Sequence, residues 1–163
     1  PFVIEFIGTF MLCFTAAISS GPLAPVAIGS ILMCQVYAGG ATSGAMYNPA
    51  VTLGVWMRKK MAAHAASAAG KKLDDVFTST TAIGYVIVQL LGSLAAYAVA
   101  WLVLDNTPGG PTVPEGVSFL RAIVGEAWAT MMLVYVVLQV ATSQHVAGNG
   151  FFGLAIGFTV LAM

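Results

Sequence analysis

The chain has 163 residues, of which 59% are hydrophobic and 7% are charged, and its six basic and six acidic side chains cancel. A soluble domain carries roughly 25% charged residues, and nucleic-acid binding needs clustered basic charge, so the composition argues against both classes. The high hydrophobicity excludes a disordered chain. Cys13 and Cys34 lie in apolar runs without the spacing of a disulfide framework or metal site. The composition predicts a polytopic membrane protein.

Long apolar stretches follow one another along the chain, and a membrane-spanning helix needs about 20 such residues. The predicted spans are Phe2 to Ser19, Leu23 to Gly39, Thr81 to Leu104, and Phe119 to Thr142. A further span begins near Phe151 and is unfinished at Met163. Because both ends fall inside apolar runs, we expect the chain to be a fragment of a longer protein.

A shorter apolar piece, Pro49 to Met57, lies between the second and third spans. At about 1.5 Å per residue it reaches only part of the way across a bilayer. It is predicted to be a re-entrant half-helix or, alternatively, a helix on the membrane surface.

Basic residues are concentrated in the connection between the second and third spans. Five of the six are found there: Arg58, Lys59, Lys60, Lys71 and Lys72. The positive-inside rule therefore places this connection, residues 58–78, in the cytoplasm, and the loop 105–118 outside. The connection is rich in Ala and Lys, which favours a helix. It is interpreted as a solvated linker or, alternatively, as a basic helix that touches anionic lipid or caps the inner mouth as a gate.

An internal repeat relates the first and fourth spans. Four residues recur at an offset of 121: Glu5, Thr9, Met11 and Leu12 as Glu126, Thr130, Met132 and Leu133. Ala27-Ile28-Gly29 recurs as Ala155-Ile156-Gly157 at an offset of 128. Three spans per half invert the second half relative to the first, the architecture in which sites form at the membrane midplane from broken helices. The predicted domains are residues 1–104 and 119–163, joined by the loop 105–118; chance similarity of apolar helices is the alternative.

The segment from Ser43 to Thr52 reads Ser-Gly-Ala-Met-Tyr-Asn-Pro-Ala-Val-Thr. Asn48 is a preferred N-cap and Pro49 suits the first helical position, so a short helix is predicted from Asn48 to about Met57. Irregular backbone inside a membrane is tolerated only where it lines a cavity. Carbonyl oxygens before Asn48, followed by amide donors and a positive helix end, would pass water and repel cations. An ordinary Asn-Pro surface turn is the alternative.

This string resembles the first signature of the aquaporin, or major intrinsic protein, family. The resemblance extends to the Glu-x-x-Gly-Thr pattern at Glu5 to Thr9, to the span order and to the inverted repeat. It implies an all-α membrane protein, a right-handed bundle of six transmembrane helices plus two re-entrant half-helices, whose C-terminal part is absent here. It also implies a passive channel for water and small uncharged solutes such as glycerol or urea, usually a homotetramer, with no enzymatic activity and no cofactor.

The resemblance assigns roles to particular residues. Asn48, Pro49 and Ala50 would form the first half of the pore motif, and the carbonyls of Gly44, Ala45 and Met46 would line the pore. The second motif would lie about 128 residues after Asn48, beyond the chain. Glu5, Glu126 and Gln89 would support the re-entrant loops. A proton relay through the two carboxylates, and an ordinary helix–helix hydrogen bond of Gln89, are the alternatives.

Two positions depart from the family pattern. Ile28 falls at a selectivity-filter position where many water-selective members carry an aromatic residue and some plant members a histidine. An isoleucine would make this constriction less polar and wider, unless Ile28 faces lipid or a neighbour. Met46 replaces a frequent histidine, and a thioether does not titrate, which argues against protonation-dependent behaviour at the cytoplasmic mouth.

Three functions remain open from the sequence. The first is a passive channel for water or small neutral solutes, and the second is a solute facilitator with poor water flux or a weakly conducting structural member of the family. The third is an ion-coupled secondary transporter, which also uses broken helices in inverted repeats. The Asn-Pro-Ala-Val-Thr string at Asn48 to Thr52 favours the channel.

Overall fold

The computed structural model of the chain describes residues 1–70, 77–105, 108, 113 and 115–163. Every regular element in these residues is a helix. The helices are α1 (Phe2–Ile18), α2 (Ala24–Ser43), α3 (Pro49–Ala68), α4 (Ser79–Leu104), α5 (Phe119–Thr142) and α6 (Phe152–Leu161), with a single 3₁₀ turn at Gln144–Val146. The predicted cytoplasmic connection includes Lys71, Lys72, Asp74 and Asp75, which lie outside the described residues.

The predicted spans correspond to helices at nearly the predicted boundaries. By length and composition α2, α4 and α5 can each cross a membrane. The first and last apolar stretches form shorter helices, 17 residues in α1 and 10 in α6. Helix α1 ends one residue before the predicted span does, and its 17 residues are the minimum length of about 17 that spanning requires.

The start of α3 was predicted correctly and its end was not. Asn48 is the N-cap, in extended conformation at φ −151° and ψ 128°, and Pro49 is the first helical residue. The helix was expected to stop near Met57, but it continues without interruption to Ala68, 20 residues in all. The reason is local: no Gly or Pro lies between Gly54 and Gly70, and the Ala-rich segment has high helix propensity. Gly70, at φ 71°, follows the end of the helix.

The six helices pack in a defined order. Helix α1 lies against α4 and α2, α2 against α6, and α3 between α4 and α5. Helices α2 and α6 approach each other closely at Gly29 and Gly157. A Cβ added at either glycine would lie 2.6 Å from the carbonyl oxygen of the other. Such reciprocity between two repeat-related residues is what a two-fold axis between the halves of an inverted repeat would produce.

The distribution of polar and apolar side chains is the reverse of that in a soluble protein. Large apolar side chains are exposed along the outer faces of α4 and α5, for example Leu94 at 67% and Leu120 at 70%. The buried polar side chains instead gather at the point where α1, α2, α3 and α4 meet: Glu5, Thr9, Ser43, Thr52 and Gln89. This is the arrangement expected of a bundle surrounded by lipid, with its polar groups facing inward.

Candidate pore site

The re-entrant loop, residues 44–47, joins α2 to α3 through an unusual backbone. Gly44 (φ 89°), Ala45 (φ 51°) and Tyr47 (φ 48°) all occupy the left-handed region. This conformation is ordinary for glycine, but for other residues it costs on the order of 1 kcal/mol or more each. The loop therefore persists only because surrounding contacts hold it in this shape.

In these contacts every amide hydrogen of the loop donates a hydrogen bond. The N–H of Gly44 donates to the Gly40 carbonyl at 3.1 Å, and that of Ala45 donates to Ser43 Oγ at 3.0 Å. The next two donate to one carboxylate, Met46 N–H to Glu5 Oε1 at 3.0 Å and Tyr47 N–H to Glu5 Oε2 at 2.8 Å. All four donors are thus directed into the protein.

Glu5 anchors the loop from α1. Its side chain is fully buried, and each carboxylate oxygen accepts two hydrogen bonds. Besides the two loop amides, Ser43 Oγ donates to Oε1 at 2.6 Å and Gln89 Nε2 donates to Oε2 at 2.9 Å. A buried carboxylate is tolerable only when it is satisfied in this way. The structure therefore brings together Glu5, Gln89 and the loop.

Gln89 connects the same network to the start of α3. Its Nε2 group also donates to Thr52 Oγ1 at 2.9 Å, and Thr52 Oγ1 donates to the Asn48 carbonyl at 3.0 Å. Helices α1 and α4 thus fix both the loop and the first turn of α3. As a result, the position of Asn48 is set by a continuous hydrogen-bonded chain.

Tyr47 is a loop residue whose importance the sequence reasoning missed. It is 2% exposed, and its hydroxyl donates to the Gln35 carbonyl at 2.9 Å. A Cβ added at Gly8 of α1 or Gly39 of α2 would overlap the tyrosine side chain. The two glycines therefore form the slot that holds the ring. The sequence signal for this slot was the presence of one glycine on each of the two helices that precede the motif.

The acceptor groups of the loop are arranged in the opposite way from its donors. Within the described chain, the carbonyls of Gly44, Ala45 and Met46 accept no hydrogen bond, and Asn48 Nδ2 donates none. The orientation of the Asn48 amide is fixed, because its Oδ1 accepts from the N–H groups of Ala50 at 2.8 Å and Val51 at 3.4 Å. Three free acceptors are therefore followed along the chain by one free donor, at the positive end of α3.

Two cavities of about 450 Å³ each flank Gly44. One extends toward α6 past Val36 and Ile156, and the other extends toward the middle of α3 past Met46 and Lys59. Gly44 and Val137 line both. The loop therefore lies between two open spaces.

Ile28 lies apart from the loop. It is half-buried on α2, next to the crossing of Gly29 and Gly157. Gly44 follows Ile28 by 16 positions along the chain, about 24 Å of helix rise. If Ile28 constricts a pore, it does so near the other end, and its filter role stays a prediction.

Glu126 is also separate from the network. It is exposed on α5 and lines an open, mainly apolar cleft of about 1040 Å³ together with Ile123, Thr130 and Val134. Its carboxylate has no hydrogen-bond partner within the described residues. The predicted role of Glu126 in supporting a loop therefore stays a prediction.

No metal site can be built in the described part of the chain, where no group of three or more His, Cys, Asp or Glu side chains comes together. Cys13 and Cys34 are free thiols. The arrangement around Asn48 offers hydrogen bonds to a neutral polar solute.

Known proteins resemble this chain over nearly its whole length. A family model described as major intrinsic protein matches residues 1–163. Aquaporin AqpM of Methanothermobacter thermautotrophicus is 30% identical, with 97% of this chain and 71% of AqpM covered. The glycerol uptake facilitator protein-like 6 of Lactiplantibacillus plantarum is 32% identical, covering 98% of this chain and 71% of that protein. Nodulin-26 of Glycine max is 31% identical, covering 98% and 57%.

Proposed function

We propose that this chain, which belongs to the major intrinsic protein family, conducts water along the re-entrant loop 44–47 and past the side chain of Asn48. Membership makes the chain an integral, multi-pass membrane protein and a passive channel for water or small uncharged solutes. The family consists of channels rather than enzymes. Our proposal concerns three further points: which residues conduct, which solutes pass and how the subunits assemble.

The separation of donors from acceptors in the loop is the observation that carries the proposal. All four loop amides donate to acceptors of the protein, whereas the carbonyls of Gly44, Ala45 and Met46 accept no hydrogen bond from the residues that the structure describes. A line of carbonyls replaces the hydration of a permeating molecule, as in other selective pores. Because the network of Glu5 and Gln89 holds these groups in place, they need no rearrangement when water arrives.

Asn48 would act differently from the carbonyls. Its free Nδ2 group would donate to the oxygen of a passing water molecule, whose two hydrogens then point away toward acceptors. A water held in this orientation cannot relay a proton through its own oxygen. The N-terminus of α3 adds about half a positive charge at the same point, which repels cations. Selectivity against protons and cations would follow from both effects.

The solute range would depend on Ile28 and Met46. An isoleucine at the filter leaves that constriction apolar, which would admit glycerol or urea beside water. The named relatives include both an aquaporin and a glycerol uptake facilitator. Met46, 6% exposed, would narrow the cytoplasmic half without responding to pH.

The second half of the pore would form around Glu126. By the repeat, a second re-entrant segment would pack on this carboxylate as the loop 44–47 packs on Glu5. The open cleft beside Glu126 offers the space. We further propose that residues 58–78 are cytoplasmic and that the protein is a homotetramer, with one pore in each subunit.

The experiment is water flux through the full-length protein in proteoliposomes, measured by stopped-flow light scattering, with the variant Asn48→Asp. The aspartate keeps an oxygen to cap α3 but loses the Nδ2 donor, so the fold is retained. Loss of one hydrogen bond worth about 1 kcal/mol should lower water permeability about fivefold and admit cations. Glycerol permeability, measured in parallel with a glycerol gradient, distinguishes a water-selective channel from one that also conducts glycerol.

The matched control is Gln139→Glu, the same change of amide to carboxylate at an exposed position near the cytoplasmic end of α5. It should conduct like the wild type. If Asn48→Asp also conducts water and excludes cations like the wild type, the donor role of Asn48 is wrong.

A further inference from the structure

Of the two cavities beside the loop 44–47, the one that reaches α3 contains a charge. It has a volume of about 450 Å³ and is lined by residues of α1 to α5 and of the loop. Among the described residues that line it, Lys59 has the only charged side chain. The described lining of the other cavity, toward α6, includes no charged side chain. The loop therefore has one basic side and one uncharged side.

A ring contact holds the Lys59 ammonium at the wall of its cavity. The Nζ atom lies 5.3 Å from the centroid of the Phe77 ring, within the distance of about 6 Å at which a cation is attracted to an aromatic face. Phe77 is buried and packs edge-to-face on Tyr85, with the ring centroids 5.3 Å apart. The Tyr85 hydroxyl donates to the Ser43 carbonyl at 2.9 Å. The charge is thus positioned relative to the residue that directly precedes the loop.

Glu5, the carboxylate that anchors the loop, does not face this cavity. It is fully buried and is not among the residues that line the cavity. Its two oxygens accept four hydrogen bonds from the protein, two of them from loop amides. A solute in the cavity therefore meets the positive charge of Lys59 directly and the negative charge of Glu5 only from behind the loop.

Lys59 lies at a different depth from Asn48. It follows Asn48 by 11 positions on the uninterrupted helix α3, about 16 Å of helix rise. Half of the hydrocarbon thickness of a bilayer is about 15 Å. Since the proposed function places Asn48 near the membrane midplane, Lys59 comes at the membrane surface, where the cavity opens toward the cytoplasm.

We propose that Lys59 is a specificity-determining residue at the cytoplasmic mouth, where its charge repels cationic solutes before they reach the loop and leaves neutral solutes unaffected. This inference rests on the proposed function, which puts the loop on the conduction path, and it adds a second barrier in series with Asn48. Asn48 acts through one donor and a helix end, whereas Lys59 acts through a full charge in an open space, so salt should screen its effect.

A purely structural role of Lys59 would have a different consequence. A lysine that only held the start of α4 through Phe77, with its charge cancelled by another group, would leave the electric potential in the cavity at zero. The potential therefore separates the two roles. It can be measured without any transport.

The test uses charged thiol reagents on the full-length protein. Thr42→Cys, at an exposed position in the lining of this cavity, provides the target after the native cysteines, Cys13 and Cys34 among them, are replaced by alanine. The probes are two singly charged methanethiosulfonates of similar size, the anionic sulfonatoethyl and the cationic trimethylammonioethyl compound. Both react with the same thiolate, so any change in thiol acidity cancels in the ratio of their rates.

Removing one unit charge from a cavity of this size should change each rate about threefold, in opposite directions. Lys59→Gln should therefore lower the anion-to-cation rate ratio about tenfold, whereas Lys59→Arg, which keeps the charge, should preserve it. In about 1 M salt, where the Debye length is about 3 Å, the effect of Lys59→Gln should largely disappear. The matched control is Arg58→Gln, the neighbouring exposed cation outside the described lining, which should lower the ratio less than about twofold.

An unchanged ratio in Lys59→Gln, or an equal fall in Arg58→Gln, overturns the proposal. A second readout is cation flux in the full-length Asn48→Asp variant, which is expected to admit cations. Adding Lys59→Gln to it should raise cation flux about threefold without changing water flux, and an unchanged cation flux also overturns the proposal. If Asn48→Asp admits no cations, the proposed function is wrong at that residue. The thiol ratio involves no flux and still decides the role of Lys59.

Discussion

The predicted repeat pairs Glu5 with Glu126, yet the surroundings of the two carboxylates differ completely. Glu5 is fully buried and accepts four hydrogen bonds from Ser43, Gln89 and the backbone of the loop. Glu126 is exposed beside an open cleft and has no such partner in the described chain. Among the residues that the structure describes, hydrogen-bond donors converge on Glu5 and none reaches Glu126.

The difference shows that the loop, rather than the helix, makes the site. A carboxylate on an apolar helix becomes a useful anchor only when donors from other elements converge on it. Three of the four donors to Glu5 come from Ser43, Met46 and Tyr47, at the end of α2 and in the loop. Where the described residues provide no such segment, the carboxylate is left facing open space. The following substitutions test this comparison.

Glu5→Gln should have the largest effect. Each oxygen of Glu5 accepts two hydrogen bonds, so whichever oxygen becomes an NH₂ group, two buried donors lose their acceptor. The expected cost is about 3 kcal/mol of unfolding free energy in the 163-residue chain. Glu126→Gln in the same chain should change stability by less than about 0.5 kcal/mol. Denaturation in detergent, followed by tryptophan fluorescence, measures both, and equal costs would contradict the comparison.

The sequence predicted the framework of this network but not its geometry. The apolar runs located the helices, and Asn48 with Pro49 located the start of α3, because both signals are local. The resemblance to the family associated Glu5 and Gln89 with the loop. It could not supply the individual hydrogen bonds, since Glu5 meets partners 38 to 84 residues away. These pairings depend on how the helices pack.

Two other errors have physical causes as well. The end of α3 was placed at Met57 because the apolar run stops there and basic residues follow from Arg58. The residues after Met57 have high helix propensity, and the helix therefore extends to Ala68. The slot for Tyr47 was missed because Gly8 and Gly39 are far apart in sequence. A glycine in an apolar helix also does not identify the side chain that packs against it.

Gly29→Ala and Gly157→Ala should have the next largest effect on stability. They test the reciprocal contact between the two repeat-related glycines. Each added Cβ would meet the carbonyl oxygen of the opposite helix at 2.6 Å, and a backbone atom cannot rotate away. Each substitution should cost about 2 to 3 kcal/mol. Because both relieve their strain by separating α2 from α6, the double variant should cost clearly less than the sum. The same denaturation assay measures this, and strict additivity would show that the two glycines act independently.

Gly8→Ala tests the slot for Tyr47. The new methyl group would overlap the tyrosine ring, so the ring and the loop must shift, at a cost of about 1 to 2 kcal/mol. The matched control is Gly125→Ala on α5, where no atom lies within 4 Å of the added Cβ. There the substitution should stabilise the helix by up to about 1 kcal/mol. Opposite signs of the two changes support the slot, whereas two stabilising changes would refute it.

Ile28→Phe should have the smallest effect on stability and a specific effect on transport. Ile28 is half-buried, so a larger ring can be accommodated toward its open side at a cost of less than about 1 kcal/mol. If Ile28 lines the constriction, the ring narrows it, and the passage of glycerol, which is wider than water, should fall more than that of water. Stopped-flow measurements on the full-length protein give both permeabilities. Ile7→Phe, on the exposed face of α1, is the matched control and should leave the ratio unchanged. Since a merely structural defect lowers both fluxes together, an unchanged ratio in Ile28→Phe would remove Ile28 from the filter.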